Sequence, residues 1–427
     1  GKTIGEVEHT LTEKDHAVLY LPIYRLDFSI YANQLAAHQI TQLIRAAHSV
    51  KVDSCSYRSP NIVLIIGESF GRHHSQQYGY FMETTPRQVA LEKTRKLTKF
   101  SDVVTCWNLT SFVFKNMLST HVVGEKGEWC DYPLFPEIFR KAGYNVTFIT
   151  NEFLPQAKEA VYDFSGGFFL NNPELSKLQF DHRNTQLHDL DDGLLQDYDD
   201  SLKQYRTEHN LTIFHLMGQH VSYNFRYRAN QAKFWASSYE DKRPELSTKQ
   251  RKVLSYYDNA TLYNDSIVAQ IVNRFRNENA IVIYVPDHGE ECYEENRGFI
   301  CRNHSAQIDW PLAHYEFEIP FWIYCSQKYI RTHRDIYRQI RAAKDKRYMT
   351  DALPHLLLYL AGIETPTYRE EYNILSPKYN EMRPRILKNS ADYDKLRDEH
   401  IAKEKAKEEA KKAQTKKNKK KKGNKKK

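Results

Sequence analysis

Five short apolar runs, rich in β-branched and aromatic residues, constrain the fold of this chain more than any other feature of its sequence. They occupy 61–66, 146–150, 211–215, 281–285 and 321–324. A strand that is apolar without alternation is buried on both of its faces. Between and after these runs, helical patterns occupy 134–142, 250–275 and 348–361. Buried strands that alternate with helices predict an α/β fold, with a largely parallel central sheet sandwiched by helices.

Charge is distributed unevenly along the chain. Residues 401–427 contain 14 Lys and 3 Glu, whereas the formal net charge of the whole chain is +8, so the rest is slightly acidic. A Lys-rich segment without apolar periodicity cannot bury a core, and we predict a disordered tail at 391–427. Basic residues elsewhere form no stripe with interleaved aromatics, which argues against nucleic-acid binding.

Apolar periodicity separates an N-terminal segment from the body. Apolar residues recur at helical spacing within 31–49, which predicts an amphipathic helix in a linking segment at 1–54. Such a helix either lies along a membrane surface or packs on the body, which we place at 55–390. The chain has no run of about 18 uncharged apolar residues and no basic-then-apolar leader, so we expect a soluble piece without its anchoring segment.

Six cysteines are widely spread along the chain, and none forms a C-x-x-C pair. A structural zinc knuckle is therefore not expected. The even count is compatible with an oxidising compartment, in which disulfides persist. Cys292 and Cys301 flank a short polar loop and are the best candidates for a disulfide.

Polar side chains follow three of the predicted strands. Glu68 comes after the first run, His220 after the third, and Asp287 and His288 after the fourth. Catalytic groups of parallel sheets sit where strands end and loops begin, so we expect these side chains to meet. Taken singly, Glu68 is equally compatible with a helix cap, and Asp287-His288 with a surface turn. Taken together, two carboxylates and an imidazole favour a divalent cation such as Zn²⁺.

Several segments around these strand ends form an ordered set of motifs. They are GESFGRHH at 67–74, YGY at 78–80, TTP at 84–86, FHLMGQH at 214–220, YVPDHGE at 284–290, PFWIY at 320–324, and 351–362. These segments resemble, in the same order, the motifs of the lipid-modifying phosphoethanolamine transferases of the alkaline phosphatase and sulfatase superfamily. The similarity covers roughly 59–375.

The resemblance implies a threonine nucleophile that lies shortly after a cysteine, at the start of a helix. Thr110 matches this position, four residues after Cys106. A threonine hydroxyl needs activation by a metal or base before it can attack. From the residues alone, Ser111 and Thr105 compete with Thr110, and a role for Thr110 as a helix N-cap is the structural alternative.

The resemblance also implies the remaining site residues. Glu68, Asp287 and His288, together with Thr110, would be the metal ligands. His220 and His304 would bind the phosphoryl group or a second zinc. A fold of the alkaline phosphatase and sulfatase type is implied for residues 55–390.

The sequence departs from the family pattern near the nucleophile. Asn116 stands where relatives linked to colistin resistance carry a second cysteine, so Cys106 either pairs elsewhere, as with Cys130, or stays free. Trp107, Phe112 and Lys115 replace the small residues that are usual around the nucleophile. These departures concern the acceptor more than the chemistry. The sulfatase motif C-x-P-x-R is absent at Cys106, which argues against formylglycine chemistry.

The implied function is zinc-dependent transfer of phosphoethanolamine from phosphatidylethanolamine to a surface glycolipid, lipid A or a core sugar, through a phosphothreonine. We expect a monomer acting at the membrane surface, as the periplasmic catalytic domain of an inner-membrane protein. A phosphatase, sulfatase or phosphoglycerol transferase on the same scaffold is one alternative. A non-catalytic surface-binding domain is the other.

Overall fold

A seven-stranded sheet lies at the centre of the computed structural model, which describes residues 21–155, 168–304 and 307–423. The strands in chain order are β1 (Asn61–Gly67), β2 (Leu97–Lys99), β3 (Asn145–Thr150), β4 (His182–Arg183), β5 (Asn210–His215), β6 (Ala280–Pro286) and β7 (Trp322–Cys325). They are arranged in the order β2-β7-β6-β1-β5-β3-β4. The strands from β6 to β4 are parallel, whereas β7 is antiparallel to both of its neighbours. The predicted largely parallel α/β sheet is confirmed.

The central strands are apolar on both faces because each face packs into its own core. In β1, Ile62, Leu64 and Ile66 point into one hydrophobic cluster. The alternate residues Val63 and Ile65 point into the cluster on the opposite face. Since successive side chains of a strand point to opposite faces, burial of both faces removes the usual alternation of apolar and polar residues.

Helices cover the two faces. In chain order, the α-helices of the described residues are α1 (Leu21–His48), α2 (Pro86–Lys93), α3 (Thr110–Leu118), α4 (Phe135–Ala142), α5 (Phe168–Asn171), α6 (Pro173–Gln179), α7 (Asp192–Asp197), α8 (Thr248–Phe275), α9 (Trp310–Phe317), α10 (Gln327–Thr332), α11 (Arg334–Ala343), α12 (Leu353–Ala361) and α13 (Tyr393–Gly423). Side chains of α1, α3, α4, α11 and α12 join one core cluster, and those of α7 and α8 join the other. No helix within these ranges is both long enough and apolar enough to cross a bilayer.

Short two-stranded ribbons complete the secondary structure of the described residues. They pair Ser54–Cys55 with Ile363–Glu364, Val103–Val104 with Tyr348–Met349, Glu291–Cys292 with Ile300–Cys301, and Ile386–Leu387 with Ala391–Asp392. The helix predicted at 348–361 is therefore shorter than expected. Its first residues form a strand and a 3₁₀ turn before α12 begins.

The N-terminal helix packs on the body. Helix α1 begins at Leu21, earlier than the predicted start at residue 31, and it ends at His48. Leu43 is fully buried in the core cluster that contains β1, and Ala32 is fully buried as well. Of the two arrangements considered for this helix, the structure shows contact with the body for its described side chains.

The C-terminal segment differs from its prediction. Disorder was predicted for 391–427, but Tyr393–Gly423 form helix α13. Tyr393 is 1% exposed, and Asp394 forms an ion pair with the buried Arg385. Farther along, Glu and Lys side chains pair at a spacing of three or four residues, which supports a helix that is exposed on all sides. The prediction overlooked both the anchoring contacts and these pairs.

All six cysteines are free thiols, so the predicted Cys292–Cys301 disulfide is wrong. The two residues lie on the same antiparallel ribbon, but Cys292 faces Ile300 and Cys301 faces Glu291. This offset of one residue directs the two thiols to opposite faces of the ribbon. Proximity in the sequence therefore did not bring the sulfur atoms together.

Candidate active site

Two neighbouring strands deliver the predicted metal ligands to the same point. Strands β1 and β6 are parallel and in register, with Gly67 opposite Pro286 at their carboxyl ends. Glu68 and Asp287 directly follow the ends of these two strands, so they leave the sheet side by side. His288 follows Asp287 directly, and all three side chains are fully buried. The expectation that these strand ends meet is confirmed by the geometry.

The hydroxyl of Thr110 lies against this group. Thr110 Oγ1 donates a hydrogen bond to Glu68 Oε2 at 3.1 Å and lies 3.2 Å from His288 Nε2. His288 Nε2 is 3.3 Å from Glu68 Oε1 and 3.1 Å from Asp287 Oδ2. Glu68, Asp287 and His288 each offer a ligand atom, and these atoms lie within 4.8 Å of one another. The structure thus brings together the four residues that the sequence singled out as ligands.

The surroundings of helix α3 distinguish Thr110 from Thr105 and from the N-cap alternative. Helix α3 begins at Thr110 and its N-cap position is Leu109, so the N-cap interpretation of Thr110 is wrong. Thr105 Oγ1 donates to the backbone carbonyl of Asp287 at 2.6 Å, which gives that hydroxyl a structural role. At the first position of the helix, Thr110 also stands beside backbone N–H groups that lack intrahelical partners and favour anions.

Backbone contacts orient the acidic and imidazole ligands. Asp287 Oδ1 accepts hydrogen bonds from the backbone amides of Ser69, at 3.1 Å, and His288, at 2.7 Å. Asp287 Oδ2 is buried and has no hydrogen-bond partner among the described residues. His288 Nδ1 lies 2.8 Å from the carbonyl of Gly289, to which it donates, so its Nε2 faces the carboxylates. The free carboxylate oxygen and the oriented imidazole nitrogen both point to the place where a cation would bind.

Close backbone packing explains Gly289. A Cβ atom at this position would lie 2.3 Å from the carbonyl oxygen of Tyr315 and 3.0 Å from the backbone of Glu316. No larger residue fits without moving the segment that carries His288. Gly218 has a similar role beside Glu68, because its φ is +49° and a Cβ there would lie 2.9 Å from the Glu68 carbonyl oxygen.

The site concentrates buried negative charge. Burial and the neighbouring Glu68 raise the pKa of Asp287 to about 6. Burial, Glu68 and Asp287 raise the pKa of Glu152 well above its usual range. Burial and Arg302 oppose the charged form of His288, but Asp287 and Glu68 raise its pKa to about 10. A divalent cation held by two carboxylates and an imidazole would compensate this charge, so the residues present fit Zn²⁺.

The two predicted phosphoryl-binding histidines lie in different environments. His220, Glu68 and Glu152 present ligand atoms within 4.8 Å of one another, and His220 Nδ1 is buried without a hydrogen-bond partner among the described residues. His304 is exposed, and none of the candidate metal clusters in the described ranges includes it. Burial lowers the pKa of His220, so its ring is neutral near pH 7.

The sequence analysis missed several residues that complete the site. Arg302 Nη1 contacts His288 Nε2, and it was passed over although it lies two residues before His304. Asn108 Nδ2 donates to Glu316 Oε2 at 2.7 Å and to the carbonyl of Asn303 at 3.0 Å. These bonds tie the segment before Thr110 to the segment that carries Arg302. No short motif signals these two bonds, since they join residues 195 and 208 positions apart.

Glu152 is the other omission, and a sequence signal for it existed. It follows strand β3, which lies two places from β1 in the parallel part of the sheet. The same argument that selected Glu68, Asp287 and His220 from the residues after three strands applies equally to this fourth strand end.

Comparison with known proteins defines the class. The sulfatase family model matches residues 60–363, most of the chain and all of the parallel strands. The chain therefore belongs to the sulfatase family.

Within this family, the chain is similar to enzymes named phosphoethanolamine transferases. It is 30% identical over 324 residues to phosphoethanolamine transferase EptC of Escherichia coli K12, across 75% of this chain and 54% of that protein. It is 30% identical over 325 residues to phosphoethanolamine transferase CptA of Salmonella typhimurium, with the same coverage. The chain thus spans about half the length of these curated relatives.

A solved structure agrees with these relatives. The C-terminal periplasmic domain of EcEptC from Escherichia coli superimposes with a TM-score of 0.68 at 28% identity, over 82% of this chain and 96% of that one. A second structure of the same domain is a complex with Zn and has a TM-score of 0.67. The expected fold of the alkaline phosphatase and sulfatase type is confirmed.

Proposed function

We propose that this chain is the catalytic domain of a zinc-dependent enzyme that transfers phosphoethanolamine from phosphatidylethanolamine to a surface glycolipid. The observation that carries the proposal is the Thr110 hydroxyl, held 3.1 Å from Glu68 Oε2 and 3.2 Å from His288 Nε2 at the start of a helix. A nucleophile, a set of ligands for a cation and a helix N-terminus suited to anions meet at one point. The names of the relatives supply the substrate class.

In the first displacement, Thr110 Oγ1 attacks the phosphorus of the donor lipid. Its proton passes to Glu68 Oε2, the atom to which the hydroxyl already donates. The bond from phosphorus to the diacylglycerol oxygen breaks, and that oxygen takes up a proton as diacylglycerol leaves. Zn²⁺ bound by Glu68, Asp287 and His288 would supply Lewis-acid charge beside the attacking hydroxyl and the phosphoryl oxygens. The product is a phosphothreonine that carries ethanolamine.

In the second displacement, a hydroxyl of the acceptor attacks this phosphorus. The neutral imidazole of His220 is suited to take the proton of that hydroxyl, because burial disfavours its charged form in the resting site. The bond from phosphorus to Thr110 Oγ1 breaks, and the threonine regains a proton. The guanidinium of Arg302, next to His288, adds positive charge for the phosphoryl oxygens in both steps.

The setting of the reaction is part of the proposal. Both substrates are lipids of a membrane surface, and the matched EcEptC structure is a periplasmic domain. We place this chain in the periplasm, as one domain of an inner-membrane protein that acts as a monomer, with lipid A or a core sugar as acceptor.

Replacement of Thr110 by alanine tests the covalent route. The T110A variant keeps the carboxylates and the imidazole, so it should bind zinc normally but lose transfer by at least ~10³-fold. Mass spectrometry of wild-type protein incubated with phosphatidylethanolamine should find the phosphoethanolamine adduct on the peptide that contains Thr110.

Ser111→Ala is the matched control and should retain both the adduct and the transfer rate. Transfer that survives T110A but is lost in S111A would assign the nucleophile to Ser111. Hydrolysis of simple phosphate or sulfate esters without preference for the ethanolamine group would favour the alternative hydrolase. A protein without stoichiometric zinc and without turnover would be a binding domain.

A further inference from the structure

Glu152 is a largely buried carboxylate that has no lysine or arginine within ion-pair distance among the described residues. It follows strand β3 and its side chain is 12% exposed. Within the described ranges, no lysine or arginine pairs with it, and its carboxylate lies 3.4 Å from His215 Nε2. Burial lowers the pKa of His215 to about 4, so that ring is neutral and offers Glu152 no positive charge.

The neighbouring carboxylate of Asp191 is fully hydrogen-bonded and serves as a comparison for Glu152. Asp191 accepts hydrogen bonds from Asn151 Nδ2 and from the backbone amides of Met217 and Gly218, each at 2.9 Å. Glu152 has no comparable set of donors to its carboxylate among the described residues. A largely buried acid without donors is costly, so the position of Glu152 beside the site suits a cation that arrives with a ligand.

Glu152 lies close to the proposed nucleophile, with Glu68 adjacent to both. Its carboxylate, Glu68 and His220 have ligand atoms within 4.8 Å of one another, and Glu68 accepts the hydrogen bond of Thr110. Phe114 lies one turn after Thr110 on helix α3, and its buried ring packs on His215, the histidine next to Glu152, with centroids 4.6 Å apart. The nucleophile and the carboxylate are therefore close enough for the two ends of one small head group.

We propose that Glu152 binds the ammonium group of the phosphoethanolamine head group, which deepens the proposed function and rests on it. The phosphoryl group would sit at Thr110 and the ammonium at the Glu152 carboxylate, with the two methylenes between them. Ionised donor and acceptor form hydrogen bonds about twice as strong as neutral ones. The same contact would discriminate against donors with an uncharged head group of equal size, because the buried carboxylate would then remain unpaired.

A second divalent cation is the competing occupant of this position. Glu68, Glu152 and His220 have the residue types of a metal site, but Glu68 already belongs to the set formed with Asp287 and His288. The ammonium is favoured because the proposed substrate brings one charge to one unpaired carboxylate. Metal content measured by mass spectrometry separates the two occupants.

The test is equilibrium binding to zinc-loaded T110A protein, in which turnover does not interfere. Two probes are compared by isothermal titration: O-phosphoethanolamine, and propyl phosphate, in which a methyl group replaces the ammonium. Protein with Glu152 should prefer O-phosphoethanolamine. The Glu152→Gln variant should bind that probe roughly 10–100-fold more weakly and bind propyl phosphate unchanged. Glu208→Gln, an exposed position before β5, is the matched control and should retain the preference.

The outcomes are separable from those of the proposed function. An unchanged preference in Glu152→Gln, or equal weakening toward both probes, would overturn the assignment of Glu152. Loss of one equivalent of metal in Glu152→Gln would also overturn it, in favour of a second cation. If the wild-type protein forms no adduct on Thr110 but binding still depends on Glu152, the inference stands and the covalent transfer reaction fails.

Discussion

Replacement of Asp287 by asparagine should give a protein that is more stable than wild type without metal and less stable than wild type in zinc. Asparagine keeps the Oδ1 atom that accepts from the amides of Ser69 and His288, so the local backbone bonds survive. It removes the charge at Oδ2, which has no hydrogen-bond partner among the described residues. The substitution therefore tests charge and metal binding with little change of shape.

The expected difference in stability without metal follows from the pKa shift of the Asp287 carboxyl group. The pKa of Asp287 is raised from 3.8 to about 6 by burial and by Glu68. A raised folded pKa means that stability falls as pH rises from about 4 to about 6, by up to ~3 kcal/mol at 1.36 kcal/mol per unit. Above pH 6, metal-free D287N should be more stable than metal-free wild type by about 1–3 kcal/mol. The range extends below the full value because the new amide also faces His288. Below pH 4 this difference should disappear.

With zinc, the expected difference in stability between D287N and wild type has the opposite sign. A ligand that binds only the folded protein adds ~4 kcal/mol at a free concentration 1,000 times its dissociation constant. Wild type should gain this amount in zinc, whereas D287N, which lacks one anionic ligand, should gain less than ~1 kcal/mol. Urea denaturation at pH 7.5, with chelator and with buffered zinc, measures both differences.

The controls for this experiment are simple. Asp189→Asn, at an exposed position, should follow wild type in both conditions. Equal stabilisation of D287N and wild type by zinc would refute the assignment of Asp287 as a ligand. A metal-free D287N that is less stable than wild type at pH 7.5 would refute the charge argument.

Two further predictions concern the framework of the site. Truncation after Asp398 should change the free energy of unfolding by less than ~0.5 kcal/mol, whereas truncation after Asp392 should cost about 3–5 kcal/mol, because it removes the buried Tyr393. Urea denaturation of both proteins checks this, and equal stability would show that helix α13 is not anchored. Gly289→Ala should destabilise the fold by about 1–3 kcal/mol and weaken zinc binding, because its Cβ would meet the carbonyl oxygen of Tyr315 at 2.3 Å. An unfolding curve and zinc affinity equal to those of wild type would contradict this.

The predicted strands were reliable because their signal is local and strong. Each of the five runs coincides with a strand of the central sheet, and the carboxyl ends of two of them carry Glu68 and Asp287. Glu152 also follows a predicted strand, at 146–150, but the rule that functional side chains lie after strand ends was not applied to it. The prediction of disorder at 391–427 failed for another reason: the first residues of helix α13 are held by distant partners, such as Asp102, which pairs with Arg397.

The sequence by itself determined the parallel sheet, the order of the motifs and the residue types of the ligand set, because apolar runs and strand ends are properties of neighbouring residues. Only the tertiary structure decided which hydroxyl faces the ligands. Thr110 meets Glu68 and His288 across 42 and 178 positions, whereas the hydroxyl of Thr105 bonds the Asp287 carbonyl across 182. Contacts over such separations depend on how helices and strands pack, and no local pattern encodes them.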